Sequence, residues 1–158
     1  MEWQEVCEHP SLQNLPFKIE LNGKGQVLMT PVKVYHSAFQ GQIARLLPET
    51  GVVLPECAVK TEKGTKVADV AWASEARFEK IRHESECSIA PEIFIEVVSA
   101  SNTEDEMEEK RELYIRSGIS EFWVCGKAGN MSFFNEQGKI KKSKLVPDFP
   151  HKIEVLNN

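Results

Sequence analysis

Two acidic residues lie among apolar neighbours, where surface acids are rarely found. In Ile93-Phe94-Ile95-Glu96-Val97-Val98, Glu96 is the single charge in an apolar run. Extended, this run puts Phe94, Glu96 and Val98 on one face and Ile93, Ile95 and Val97 on the other. A carboxylate in such surroundings is costly unless it is paired, protonated or bound to a cation. Asp69 repeats the pattern in Lys66-Val67-Ala68-Asp69-Val70-Ala71-Trp72, sharing a face with Val67 and Ala71. Two unpaired acids on neighbouring strands repel, so one proton or one divalent cation is expected between them. Two carboxylates, a backbone carbonyl and waters form an oxygen shell suited to Mg2+ or Mn2+. Val97, next after Glu96, is the natural carbonyl donor. The simpler alternative for Glu96, an acid at a strand end reaching water, fits poorly with apolar residues on both sides.

Lys110 is the third residue of interest. On a helix starting near Thr103 it falls on one stripe with Met107, Leu113, Tyr114 and Ser117, so it interrupts an apolar face. Two readings follow. Its stem packs inward while the ammonium snorkels to water, or the ammonium sits beside the carboxylates and stabilises charge on a phosphate. His36 lies at the edge of a helical stripe next to Gln40, where a histidine caps or packs, or else faces the phosphate. Tyr114 and Trp123 are expected in the core, Arg45 and Glu121 at the surface.

The elements that must position these residues are legible in outline. Residues 2 to 8 suit a short helix ended by His9-Pro10. Phe17 to Leu21 and Gln26 to Met29 flank Asn22-Gly23-Lys24-Gly25, a hairpin signal. A helix from about Val34 to Leu47 carries Phe39, Ile43, Leu46 and Leu47 on one stripe and stops at Pro48. Strands are expected at Cys57 to Thr61 and Lys66 to Trp72, with a surface loop and some helix over residues 74 to 90. The Glu96 strand is followed by a helix with a Thr103/Glu106 capping box, an acidic first turn and Gly118 as C-terminal cap. Phe122 to Cys125 then gives a strand-helix-strand crossover, right-handed and parallel. Met131 to Asn135 and Lys139 to Leu145 close the chain as a hairpin. The fold class is α/β: a mixed sheet flanked by helices, with N- and C-terminal hairpins, in one domain over residues 1 to 158.

Composition narrows the function. The length of 158 residues suits one core. The apolar runs are too short to span a bilayer, and the acidic N-terminus has no signal-peptide pattern, so a cytoplasmic protein with no membrane partner is expected. Cys7, Cys57, Cys87 and Cys125 are scattered without zinc spacing and read as reduced thiols. A net charge of −5 argues against indiscriminate coating of nucleic acid, though not against an enzyme that meets phosphate through a bound cation. The basic stretch Lys139, Lys141, Lys142 and Lys144 reads as a solvated edge strand, with phosphate contact as the alternative.

The order of motifs resembles the Uma-type restriction endonuclease family, a domain family of unknown function within the PD-(D/E)XK nuclease superfamily. The matching stretches are Ile19-Glu20-Leu21-Asn22-Gly23, His36 opening a helix, Val67-Ala68-Asp69-Val70 and Pro91 to Ser99. Lys110-Arg111-Glu112-Leu113-Tyr114 and Gly118 to Trp123 complete the set. The resemblance implies that Asp69 and Glu96 are metal ligands and that Lys110 is the catalytic lysine, moved from strand to helix. It also implies that Glu20 joins the acidic cluster; the residues alone equally allow a solvent-facing hairpin position beside Lys18. Two departures stand out: Ala68 replaces the proline before the aspartate, and Val98 replaces the lysine two residues after the glutamate. The expected activity is Mg2+-dependent hydrolysis of DNA phosphodiester bonds, on RNA or branched DNA as a variant, with a homodimer favoured for cutting both strands. The alternative is a catalytically silent nuclease-fold module that binds nucleic acid or regulates.

Overall fold

The computed structural model describes residues 1–99 and 102–156. Ala100, Ser101, Asn157 and Asn158, which the expected 1–158 domain includes, lie outside the described residues. Helix α1 (Trp3–Glu8) leads into a 3-10 turn and the hairpin β1 (Phe17–Leu21) and β2 (Val27–Pro31). Helix α2 (Val34–Leu46) precedes two long strands, β3 (Gly51–Thr61) and β4 (Gly64–Ser74). Then come α3 (Glu75–Ile81), β5 (Ile93–Val97), α4 (Glu104–Arg116), β6 (Glu121–Cys125), β7 (Met131–Asn135) and β8 (Gly138–Ile140).

The strands form a two-stranded sheet, β1-β2, and a six-stranded sheet in the order β3-β4-β5-β6-β7-β8. Pairing is antiparallel except between β5 and β6, which run parallel because α4 carries the chain back across the sheet. All five β5 residues are buried, as befits a central strand covered on both faces. On one face, Ile93, Ile95 and Val97 pack with Phe39, Ile43 and Leu47 of the α2 segment and with Trp123, Phe133 and Phe149. On the other, Phe94 packs with Ile81, Ile119, Phe122 and Tyr114 of α4. Glu96 follows Phe94 in the alternation and so belongs to the α4 side.

Helix α4 starts where the capping box places it. Thr103 Oγ1 accepts from the Glu106 amide at 3.2 Å, and Glu106 Oε2 accepts from the Thr103 amide at 3.3 Å. Gly118, at φ +106°, takes the left-handed position after the helix. Gly64 has φ +91° in the β3–β4 turn, and a Cβ there would strike the carbonyl oxygens of Leu21 and Asn22. This glycine therefore lets the N-terminal hairpin close onto the main sheet.

Several expectations need correction. The β3–β4 hairpin is longer than the segments 57–61 and 66–72, because pairing continues to Gly51 and Ser74. Pro55 is tolerated since β3 is an edge strand and needs no amide donor on its open side. The segment after β4 does hold the expected stretch of helix, α3, capped by Ser74 Oγ on the Arg77 amide at 3.2 Å. Leu46 is exposed, so the α2 stripe is Phe39, Ile43 and Leu47. The last strand stops at Ile140 instead of reaching Leu145, and the lysines after it lie exposed beyond the sheet edge.

The reason for that early stop is Glu121, expected at the surface but only 2% exposed. Its Oε1 accepts from the amides of Lys144 and Leu145 at 2.7 and 3.2 Å. Its Oε2 accepts from Trp123 Nε1 at 2.7 Å and Ser143 Oγ at 2.6 Å. These bonds pull residues 143–146 into a turn that a ladder to β7 would forbid. Trp123 and Tyr114 are fully buried, and Arg45 is exposed, as expected. The four cysteines are free; Cys57 and Cys87, distant in sequence, have sulfurs 3.6 Å apart.

Candidate functional site

Asp69 and Glu96 meet where the β4–β5 ladder opens. The paired residues are Trp72 with Ile93, Ala71 with Phe94, and Val70 with Ile95. One more step in that register sets Asp69 opposite Glu96. There the ladder gives way to a side chain: the Val97 amide donates to Asp69 Oδ2 at 2.8 Å. Asp69 is 3% exposed and Glu96 2% exposed, so both carboxylates have lost nearly all contact with water.

Three cations or potential cations surround them. Lys18 Nζ lies 3.2 Å from Asp69 Oδ1 and 3.4 Å from Glu96 Oε2. His36 Nε2 lies 3.3 Å from Asp69 Oδ2. Lys110 Nζ lies 3.8 Å from Glu96 Oε1, an ion pair without hydrogen-bond contact. The Tyr114 hydroxyl donates to the same Oε1 at 2.9 Å. Lys110 therefore directs its ammonium toward the acids while its side chain stays 28% exposed, one turn before the buried Tyr114.

The charges respond to this setting. Burial pushes the Glu96 carboxyl up to about 7, against the pull of the Lys110 and Lys18 ammonium groups. Burial acts on Asp69 too, but the His36 hydrogen bond, the Lys18 charge and the Val97 amide overcome it and hold Asp69 well below the carboxylate range. Burial also opposes the Lys18 ammonium, yet the charges of Glu96, Asp69 and Glu20 outweigh it and raise its pKa. The hydrogen bond to Asp69 raises His36, more than burial lowers it. The site thus holds a firm negative charge at Asp69 and a carboxyl near neutrality at Glu96.

Glu20 stands one step away. Its Oε2 accepts from the Val67 amide at 2.7 Å, which fastens β1 to β4 two residues before Asp69. It faces the main sheet and not solvent. Val97 is present through its amide, which bonds Asp69 Oδ2 at the end of β5. Sequence reasoning missed Lys18, which it noted only as a neighbour of Glu20. The alternation Lys18-Ile19-Glu20 places Lys18 and Glu20 on one face of β1, so a role for Glu20 against the sheet carried Lys18 with it.

Among the described residues, no group of three or more His, Cys, Asp or Glu side chains forms a metal cage. The donors at hand are two carboxylates, with backbone and water oxygens to complete a shell. That set is all oxygen and anionic, which fits a hard divalent cation and not a thiolate-loving one. Beside the acids, a cavity of about 320 Å³ opens between the start of α2 and the end of β5. Lys33, Tyr35, His36, Val97 and Lys127 line it. His36 Nδ1 is buried without a hydrogen-bond partner among the described residues.

A family model described as "Putative restriction endonuclease", Uma2, matches residues 3–154. The chain belongs to the Uma2 family. The Uma2 match runs from α1 past the last strand, so it takes in every residue of the site. A solved structure of "a putative nuclease" from Anabaena variabilis ATCC 29413 is similar to this Uma2 chain, with a TM-score of 0.68 and 16% identity. The similarity covers 89% of this chain and 83% of that one, and at this identity it speaks for a shared fold. No curated protein matches the chain significantly. Among the described residues, no helix is long and apolar enough to cross a membrane.

Proposed function

We propose that this chain is a divalent-metal-dependent endonuclease that hydrolyses DNA phosphodiester bonds in the cytoplasm. The observation that carries the reading is the convergence of two buried carboxylates on one cation position, with the Lys110 ammonium alongside. Asp69, Glu96 and the Val97 carbonyl would hold Mg2+ or Mn2+. When bound, the metal supplies positive charge for the phosphate and a more acidic water.

The chain's own groups do the rest. Asp69, kept anionic by His36 and the Val97 amide, is a fixed ligand that no protonation near neutrality removes. Tyr114 orients Glu96 through its hydroxyl, holding one carboxylate oxygen on the α4 side. Lys110, partly exposed and aimed inward, is placed to stabilise charge developing on a phosphate. Lys33 and Lys127 border the adjoining cavity and give a strand's neighbouring phosphates two cations to approach. Two chains related by a two-fold axis would present one such site to each strand of a duplex.

A second reading, a silent module that binds nucleic acid or regulates, draws on Lys18. An ammonium already stands between the acids, and the net charge is −5.

Both are separated by one assay. Purified protein is incubated with supercoiled, linear and single-stranded DNA, in Mg2+, in Mn2+ and in chelator, beside Asp69→Asn, Glu96→Gln and Lys110→Ala. Metal-dependent cleavage that each substitution lowers by at least about a hundredfold supports the enzyme, since removing one charge-stabilising group typically costs that much. Cleavage that survives Asp69→Asn sinks it. DNA binding without cleavage, indifferent to all three substitutions, supports the silent module.

A further inference from the structure

Lys18 is the residue that touches both acids at once, and it does not come from the six-stranded sheet. It is carried by β1, whose ladder partner is β2, and β1 packs on β4 without joining its sheet. The Glu20 carboxylate on the Val67 amide clamps β1 in place, and the Lys18 side chain is 9% exposed as it passes beneath. Its Nζ sits 3.2 Å from Asp69 Oδ1 and 3.4 Å from Glu96 Oε2.

A magnesium ion shared by the same two oxygens needs bonds of about 2.0–2.1 Å and would stand in the same space. The ammonium and the divalent ion exclude each other there, by volume and by like charge. Each satisfies the same need, since two desolvated carboxylates cannot remain ionised side by side without a counter-charge. A lysine suits the task because its charge rides on a flexible four-carbon stem that can swing away without moving the strand. Resting on the reading of this site as a metal centre, we propose that Lys18 is the resident counter-ion of the Asp69–Glu96 pair. A divalent cation enters by displacing its ammonium.

Lys18 is thus a positioning residue for the acids. It keeps the carboxylates preformed without metal and lowers metal affinity by competition. The N-terminal hairpin, through one side chain, sets the concentration at which the site loads.

The test measures Mn2+ binding by titration calorimetry at fixed pH for wild type, Lys18→Met, Lys18→Gln and Asp69→Asn, with folding checked by circular dichroism. Tenfold or greater tightening of Mn2+ in a folded Lys18 variant is the expected result, including the case where wild type binds too weakly to measure. Equal or weaker affinity in the Lys18 variants overturns the displacement. If wild type still binds one Mn2+ that Asp69→Asn loses, the metal reading stands without it. If nothing binds in any protein, both fall together. Should the variants not fold, lysine ammonium NMR on wild type decides. A protected Lys18 signal in chelator should shift or vanish on saturation with Mg2+, and an unchanged signal overturns the proposal.

Discussion

Replacing Tyr114 by Phe removes one oxygen and tests whether Glu96 is held as described. The ring would stay, packed edge-on against Phe94 at 4.9 Å and tilted against Phe122 at 5.7 Å. What goes is the 2.9 Å donor to Glu96 Oε1, leaving that oxygen facing the Lys110 ammonium at 3.8 Å. A hydrogen bond to a charged group contributes about 1.5–3 kcal/mol, one to a neutral group about 1 kcal/mol. Which value applies depends on pH, because burial raises the Glu96 carboxyl to about 7. Between the ordinary carboxylate range and that value, the folded state keeps a proton that the unfolded chain has lost. Rising pH therefore costs stability through this group. Loss of the donor lifts the folded pKa further, so Tyr114→Phe should cost about 1 kcal/mol near pH 5 and about 2 kcal/mol near pH 8. For 158 residues this is a melting-temperature drop of roughly 2–4 °C in acid and roughly 4–8 °C in alkali. Thermal unfolding in chelator at both pH values, followed by circular dichroism, reads it directly. A drop below about 1 °C near pH 8, or a larger drop in acid than in alkali, would refute the account of Glu96.

Three further outcomes follow from the same geometry. His36 is raised by its bond to Asp69, so the stability it confers is complete below the ordinary histidine range and lost as pH climbs through its folded pKa. NMR titration should find His36 above 6.5 in wild type and lower in Asp69→Asn; equal values in the two proteins would exclude Asp69 as the cause. Glu20→Ala leaves the Val67 amide without its acceptor and should loosen the hairpin by about 1–3 kcal/mol. Hydrogen exchange should then quicken in β1 and β2 while β5 and β6 stay protected, and uniform protection would count against the clamp. Glu121→Leu strands the donors of Trp123, Ser143 and Lys144, leaves the Leu145 amide only its bond to Ser143 Oγ, and should cost about 3–5 kcal/mol in urea unfolding, with less than 1 kcal/mol telling against the buried network.

Much of this protein was readable from local pattern. The isolation of Glu96 and Asp69 follows from strand alternation, a property of neighbours in the chain. The start and stop of α4 follow from Thr103, Glu106 and Gly118, whose caps act within a few residues. The facing of Lys110 toward the sheet follows from helical spacing with Tyr114. Through-space groupings were not readable. Lys18 lies 51 and 78 residues from the acids it bridges, and its shared strand face with Glu20 gives its direction but not the acids it meets. Glu121 has polar and apolar neighbours like many surface acids, yet a turn more than 20 residues later supplies its donors. Sequence spacing alone determined where charge interrupts apolar surface. Tertiary structure decided which opposite charge meets it, because long-range electrostatic partners are chosen by how strands and hairpins pack, not by chain separation.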